Sequence, residues 1–599
     1  MSCLKDMKNL LKKSLLFCLL MSLSFGGFAQ SWTGAVSTAW NNAGNWDAGG
    51  VPTASSSPYI GSCTTCPQLN GHTTVASITV EGGKLNIGAN TLNVNGVFAM
   101  NGGELTANNG VVNANRVGAF VYSTFNGIWT LKINSAGTNN YLGAMGGGNT
   151  FNNDFVLEAN TGDWTTFSVA NSFGDIYKGK TTLKNTGQGW LMIASNSSSN
   201  TVFQQDVDFI NANATEGKIQ IGVYGGKIQC NKKAQLIDNT DSPFSYIDVS
   251  EALFADEVMI ETKKAAITIG QQGTTTFKKK LSVSNSGNAR IALGSAGGGV
   301  VFEKEADVVF LMAMKKGQLL LQQFDFQGDN ATPPLNLVLS ATEPDIDRPN
   351  TLIRLGYWGT FNRVVNVEAD YIQYNLITFK KQTNLKRTGI TSAVPNGFIG
   401  YGLCPGSSVF EDNITFNNNY GDDWILGAYN ADVFKKNANF IHGNNAYGAL
   451  RPSYSGNTTY EGNIEISMPN AGANGIVWGE NGGTSTLVAG KTLSVGSFGN
   501  GWMGLANFTQ LGTGTAHNLN FGAMSLWFNN CQFQSPLTLS AARLTLSNST
   551  FFDSFFTKTG NGIDNSLGVN VFKKKIRFKN QAPNGEIRFI NQNSTVINP

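Results

Sequence analysis

The sequence predicts an all-β fold, a right-handed parallel β-helix with about 25 residues and three short strands per coil. Three observations lead there. A phenylalanine recurs in the frame Phe, three mostly polar residues, apolar, any, apolar. Glycine- and asparagine-rich turn clusters separate short apolar runs. The chain is also poor in charge, with 14% charged residues against 11% aromatic and 70 glycines in 599 positions; an ordinary globular domain carries about 25% charge. So many aromatics exclude a disordered chain. A single compact core rarely grows beyond about 250–300 residues, whereas a solenoid escapes that limit because each repeat packs only on its neighbours.

The frame reads Phe151-Asn-Asn-Asp-Phe155-Val-Leu157, Phe203-Gln-Gln-Asp-Val207-Asp-Phe209, Phe277-Lys-Lys-Lys-Leu281-Ser-Val283 and Phe572-Lys-Lys-Lys-Ile576-Arg-Phe578. Tyr177 and Cys230 stand at the Phe position between these copies. The run 151, 177, 203, 230, 254, 277, 302 advances by 26, 26, 27, 24, 23 and 25 residues. Phe410, Phe434 and Tyr460 continue it, and Phe361, Phe379 and Phe533 fit more loosely. Within one period, Thr181-Thr-Leu183, Trp190-Leu-Met-Ile193 and Thr201-Val-Phe203 alternate as strands. Asn185 to Gly189, Ala194 to Asn200 and Gln204 to Asp206 are turn clusters between them. The Phe rings are expected to stack inside the coil, each removing about 150–250 Å² from water.

The organisation follows. Residues 1–29 read as a secretory signal, with Lys5, Lys8, Lys12 and Lys13, an apolar run from Leu15 to Phe25, and small residues at Gly27 and Ala29. That run is too short for a stable membrane span. Residues 30–80 form a Trp-rich N-terminal cap around Trp32, Trp40 and Trp46, since a solenoid must cover its first coil. Residues 81–599 are the repeats. An irregular loop is expected near 328–350, where Pro333, Pro334, Pro344 and Pro349 interrupt the pattern. From Gly482 to Phe521 the frame is blurred.

Net charge is +3, which gives no global electrostatic case for nucleic acid. His72, His442 and His517 are scattered, which disfavours a histidine-rich metal site. Beyond the signal the cysteines are Cys63, Cys66, Cys230, Cys404 and Cys531, an odd number that leaves at least one thiol without a disulfide partner in the chain. Cys63 and Cys66 are disulfide candidates in an oxidising compartment; a zinc site would need further ligands, for which only His72 is near. Cys230 replaces a Phe and reads as a buried apolar thiol.

The stretch Trp40…Asn45-Trp46…Gly50-Val51-Pro52 resembles the opening of many secreted surface proteins of the Bacteroidetes. The repeats Asn149-Thr-Phe-Asn-Asn-Asp154 and Thr274-Thr-Thr-Phe-Lys-Lys279 are similar to those of the adhesin-like repeat proteins in that group. The resemblance implies a right-handed parallel β-helix, export across the inner membrane and surface display associated with type IX secretion. Such proteins usually end in a C-terminal sorting domain, and none is recognisable before Ser594-Thr-Val-Ile-Asn-Pro599.

Two sets of residues carry candidate chemistry. Lys278, Lys279, Lys280, Lys435 and Lys436 follow the Phe position and fall at one corner of the coil, where stacking would make a strip able to hold anionic glycans. Glu303 to Glu305 and Glu411-Asp412 share that corner, so a solvated corner of mixed sign is the competing expectation. Glu343, Asp345 and Asp347 with Arg348 are the best enzyme candidates, because paired carboxylates perform acid–base work on glycans and oxygen clusters bind calcium; no other cofactor is expected. Asp422-Asp423 is a lesser acidic pair. No phosphate loop, nucleophile elbow or HExxH motif is present. The expected function is a non-enzymatic, adhesin-like or scaffolding role at the cell surface or outside the cell, with extracellular polysaccharide or a host or neighbouring cell surface as partner. A β-helix polysaccharide lyase or glycoside hydrolase is the alternative.

Overall fold

The computed structural model describes residues 30–599 except 135–141, 163–164, 197–199, 214, 286–289, 296, 313–316, 340–350, 389–402, 420–422, 444–447, 470–474, 500, 523, 591–594 and 597–599. The expected signal, residues 1–29, lies outside the described residues. The chain is 55% strand and 1% helix and makes about 19 solenoid turns of about 24 residues, close to the period of the Phe frame. Among the described residues no helix is long and apolar enough to cross a membrane. Two units divide the chain, one ending at Ala234 and one beginning at Gln235.

In the first unit the coil read from sequence is present as Thr181–Asn185, Trp190–Ile193 and Asn200–Phe203. Each strand pairs in parallel with its counterpart one turn on: Leu183 with Phe209, Leu191 with Ile219, and Phe203 with Cys230. Alternate residues point inward, which is why the apolar residues recur with period two in each run. Phe125, Phe151, Tyr177 and Phe203 stack as near-parallel rings with centroids 4.6, 4.5 and 4.8 Å apart. Cys230 is fully buried beside Phe203, and burial pushes its thiol well above the ordinary range.

Near the start of the described residues three tryptophans pack together. The indole of Trp46 packs edge-on against both Trp32 and Trp40, with centroids 4.9 and 4.8 Å away. Buried Asn45 holds the loop between them: its Oδ1 accepts from the amides of Val36 and Ser37, and its Nδ2 donates to the Ala39 carbonyl. Cys63 and Cys66 are disulfide-bonded. The loop they close presents the Thr65 carbonyl to the Trp32 indole N–H at 2.7 Å.

In the second unit the ladder runs through Phe254, Phe277, Phe302, Phe326, Phe361, Phe379, Phe410, Phe434 and Tyr460, with successive centroids between 4.3 and 5.3 Å. The loosely fitting Phe361 and Phe379 are therefore full rungs. Each such pair contributes about 0.5–1.5 kcal/mol beyond its buried area. In the blurred region the coil continues, with Leu487 and then Gln510 taking the rung position before Phe533, Phe551 and Phe572 resume it. Of the irregular loop expected near 328–350, residues 340–350 lie outside the described residues; before them Leu335–Val338 is a strand paired with Val365–Ala369. Pro333 and Pro334 stand just before it, where a missing N–H costs the ladder nothing.

A second internal ladder accompanies the rings. Two residues before several of the rungs, a small polar side chain accepts the backbone N–H of its counterpart one turn earlier. Asn149 accepts from Ser123, Asp175 from Asn149 and Thr201 from Asp175. In the second unit Ser408 accepts from Ile377, Asp432 from Ser408, Ser549 from Cys531 and Asn570 from Ser549. These bonds satisfy donors where the chain turns into the rung strand and the sheet pattern lapses.

Candidate functional site

The strand Thr351–Phe361 carries a bulge. It pairs with Tyr371–Phe379, but the register shifts between Gly356, opposite Asn375, and Gly359, opposite Ile377. Tyr357 and Trp358 together face the single residue Leu376, as in a bulge that sets two residues against one. Both adopt left-handed backbone, at φ +55° and +67°. Such a conformation costs a bulky side chain on the order of 1–3 kcal/mol. The cause is local. Gly359 is buried, and a Cβ there would sit 2.2 Å from the ring of Phe324. The Gln323 amide also donates to the Tyr357 carbonyl at 3.0 Å. The backbone is thus pinned on both sides, and the two aromatics are thrown outward. Trp358 is 68% exposed and Tyr357 48%.

Trp358 is one wall of a trough of about 630 Å³. Gly297, Gly298 and Gly299 also line it, and a Cβ on Gly298 would meet the Gly273 backbone at 2.4 Å, so no side chain fits there. Gln323, Asp325 and Thr360 supply polar groups. Asp325 and Thr360 lie side by side in register, and the Asn362 amide donates to Asp325 Oδ1 at 2.7 Å. Among the described residues no lysine or arginine lines the trough. An exposed indole beside a glycine lining, an oriented carboxylate, an amide and a hydroxyl can stack on a sugar face and hydrogen-bond its hydroxyls.

Other exposed aromatics share this position in the coil, three to six residues before a rung. In the first unit these are Tyr122, Phe173 and Tyr224; Tyr122 and Phe173 touch, with centroids 5.1 Å apart. In the second unit Tyr429 joins Trp358. Nothing in the sequence singled out Trp358 or Tyr357, which sit inside an eleven-residue strand. The tryptophans near glycine-rich turns behave differently: Trp424 and Trp478 are fully buried, and Trp190 lies under the Lys218 ammonium at 4.5 Å.

The lysine corner is charge-paired. Lys278 faces Glu303 at 3.7 Å, Lys279 pairs with Glu305, and Lys435 faces Glu411 at 3.5 Å. Lys280 and Lys436 are exposed. Alternating sign along this edge suits a solvated surface and blocks edge pairing. Glu343, Asp345, Asp347 and Arg348 lie outside the described residues, as does Asp422. Asp423 pairs with Arg451 at 3.1 Å and accepts the Ala449 amide. Among the described residues no three His, Cys, Asp or Glu side chains converge as a metal site would require.

No family model, curated protein or solved structure matches the chain.

Proposed function

We propose that this protein is an exported β-solenoid that binds glycans at a cell surface or in an extracellular matrix, an adhesin-like or scaffolding role without turnover. The observation that carries the reading is Trp358, a solvent-facing indole held in strained backbone and lining a polar trough. Strain of that kind persists where surrounding structure over-determines it, and it clusters at ligand sites. The regular stack supplies a rigid support for the trough, and the exposed aromatics before other rungs offer further stacking positions along each unit. Export rests on the signal-like residues 1–29.

The test is a glycan array probed with the intact protein and with Trp358→Ala. The expected result is a set of bound glycans whose signal falls at least tenfold in the variant, in line with the truncation cost of an aromatic anchor. Unchanged binding by Trp358→Ala would remove the trough from the account. A parallel assay for new reducing or unsaturated ends on the bound glycans separates holding from cleavage; sustained release of ends would establish the lyase or hydrolase alternative.

A further inference from the structure

The bulge that ejects Trp358 into the trough also ejects Tyr357 into a different cleft. That second cavity, of about 210 Å³, is lined by Arg354, Tyr357, Gln373, Asn375, Leu403 and Pro405 among others. Its electrostatics are opposite to those of the trough. Among the described residues the trough is lined by one carboxylate and no cation, whereas this cleft is lined by one guanidinium and no carboxylate.

Arg354 is set for a ligand. It lies in register with Gln373 on the neighbouring strand, and its Nε donates to Gln373 Oε1 at 2.7 Å. Gln373 is itself 7% exposed and so holds the guanidinium in a fixed orientation. Among the described residues Arg354 makes no ion pair, unlike Lys278, Lys279 and Lys435 at the charge-paired corner. A planar fork with one edge fixed and the other edge open matches a carboxylate or sulfate bidentately. Tyr357, 48% exposed, provides an aromatic face beside it.

We propose that the Arg354–Tyr357 cleft is a subsite for an acidic sugar residue, a uronate or a sulfated hexose, of the same glycan chain whose neutral residue stacks on Trp358. The proposal rests on the reading of the trough as a glycan site and adds to it the charge of the ligand. The two aromatics are adjacent in sequence on one bulge, so a chain crossing the bulge meets the neutral stacking face and the cationic cleft in succession. The ligand class is therefore an acidic heteropolysaccharide.

The experiment is calorimetric titration of the full chain with a panel of uronate and sulfated oligosaccharides, each beside its carboxyl-reduced or desulfated counterpart. At least one acidic member should bind about tenfold or more tightly than its neutral counterpart, the effect of one charge-assisted bidentate contact. Arg354→Gln should bring the acidic ligand down to the neutral level and leave the neutral ligand unchanged. Trp358→Ala should weaken both. Whether the uronate or the sulfated arm responds identifies the acid. The proposal is overturned if no acidic member exceeds its counterpart, or if Arg354→Gln keeps the discrimination. Should Trp358→Ala leave both affinities intact, the trough reading fails and this inference fails with it; absence of charge discrimination in the wild-type chain, with Trp358 still required, overturns only the inference.

Discussion

Gly359 and Phe324 are matched by exclusion: the buried Phe324 ring occupies the space that a side chain at position 359 would need, 2.2 Å from the ideal Cβ. Phe324 cannot yield readily, since it is wedged against Phe326 and Phe361 at 5.6 and 4.7 Å. The contact is what permits the chain to re-enter the sheet immediately after Trp358. Gly359→Ala is expected to lower stability by about 1–3 kcal/mol through overpacking. It should also blunt glycan binding although it touches no ligand. Urea unfolding and titration on the same variant check this; full stability together with full affinity would show that the bulge does not depend on Gly359.

The buried carboxyl of Asp175 sets a pH dependence. Its Oδ1 accepts from the backbone and side chain of Asn149 and its Oδ2 from the Tyr177 hydroxyl. Burial nevertheless dominates and raises the carboxyl from 3.8 to about 7. A group that holds its proton more tightly when folded adds stability fully below the unfolded value, and that contribution is lost as pH rises through the folded one. The chain should therefore lose stability from about pH 4 to about pH 7 on account of this group. Asp432, against Tyr374, is raised to about 7 in the same way. Asp175→Asn keeps an acceptor oxygen without a titrating proton. The difference in thermal midpoint between wild type and variant, measured at pH 4, 5.5, 7 and 8, should move in favour of the variant up to pH 7 and then level off. A constant difference would show that Asp175 does not titrate in this range.

The rings of the main ladder were legible because a fixed coil length repeats them, and a buried ring has few substitutes. Phe361 and Phe379 fitted loosely only because the turns before them vary in length, which the stack tolerates. The polar ladder two residues before several of the rungs was hidden. Asn149, Asp175, Thr201 and Ser408 are also ordinary turn residues, and only the coil stacking shows that their side chains face inward to backbone donors. Tyr357 and Trp358 were hidden for a different reason. Their exposure depends on a register shift fixed by Gly359 against Phe324, a contact between residues 35 positions apart. A pattern of alternating residues cannot register one residue too many. The charge pairing of Lys278 and Lys279 was half legible, since Glu303 and Glu305 fall about one coil later in the sequence.

Gln510 is the place where the ring ladder gives way to the polar one, and it tests which matters more. It is fully buried at the rung position, in register with Leu487 and Phe533. Its Oε1 accepts from the amides of Gln534 and Ser535 at 3.0 and 2.9 Å, and its Nε2 donates to Ser535 Oγ at 3.1 Å. Gln510→Phe would supply the ring that the repeat otherwise favours, a gain of about 0.5–1.5 kcal/mol in stacking. It would also take this acceptor from the buried Ser535 amide, a loss of about 1–3 kcal/mol when left unsatisfied, while the Gln534 amide keeps only its longer bond to the Gln510 carbonyl at 3.3 Å. The second effect is larger, so the variant should unfold more easily than the wild type despite its more regular sequence. Amide hydrogen exchange at Gln534 and Ser535 should quicken with it. A variant that melts at or above the wild type, with those amides still protected, would mean that the turn finds other acceptors and that ring stacking alone keeps these coils in register.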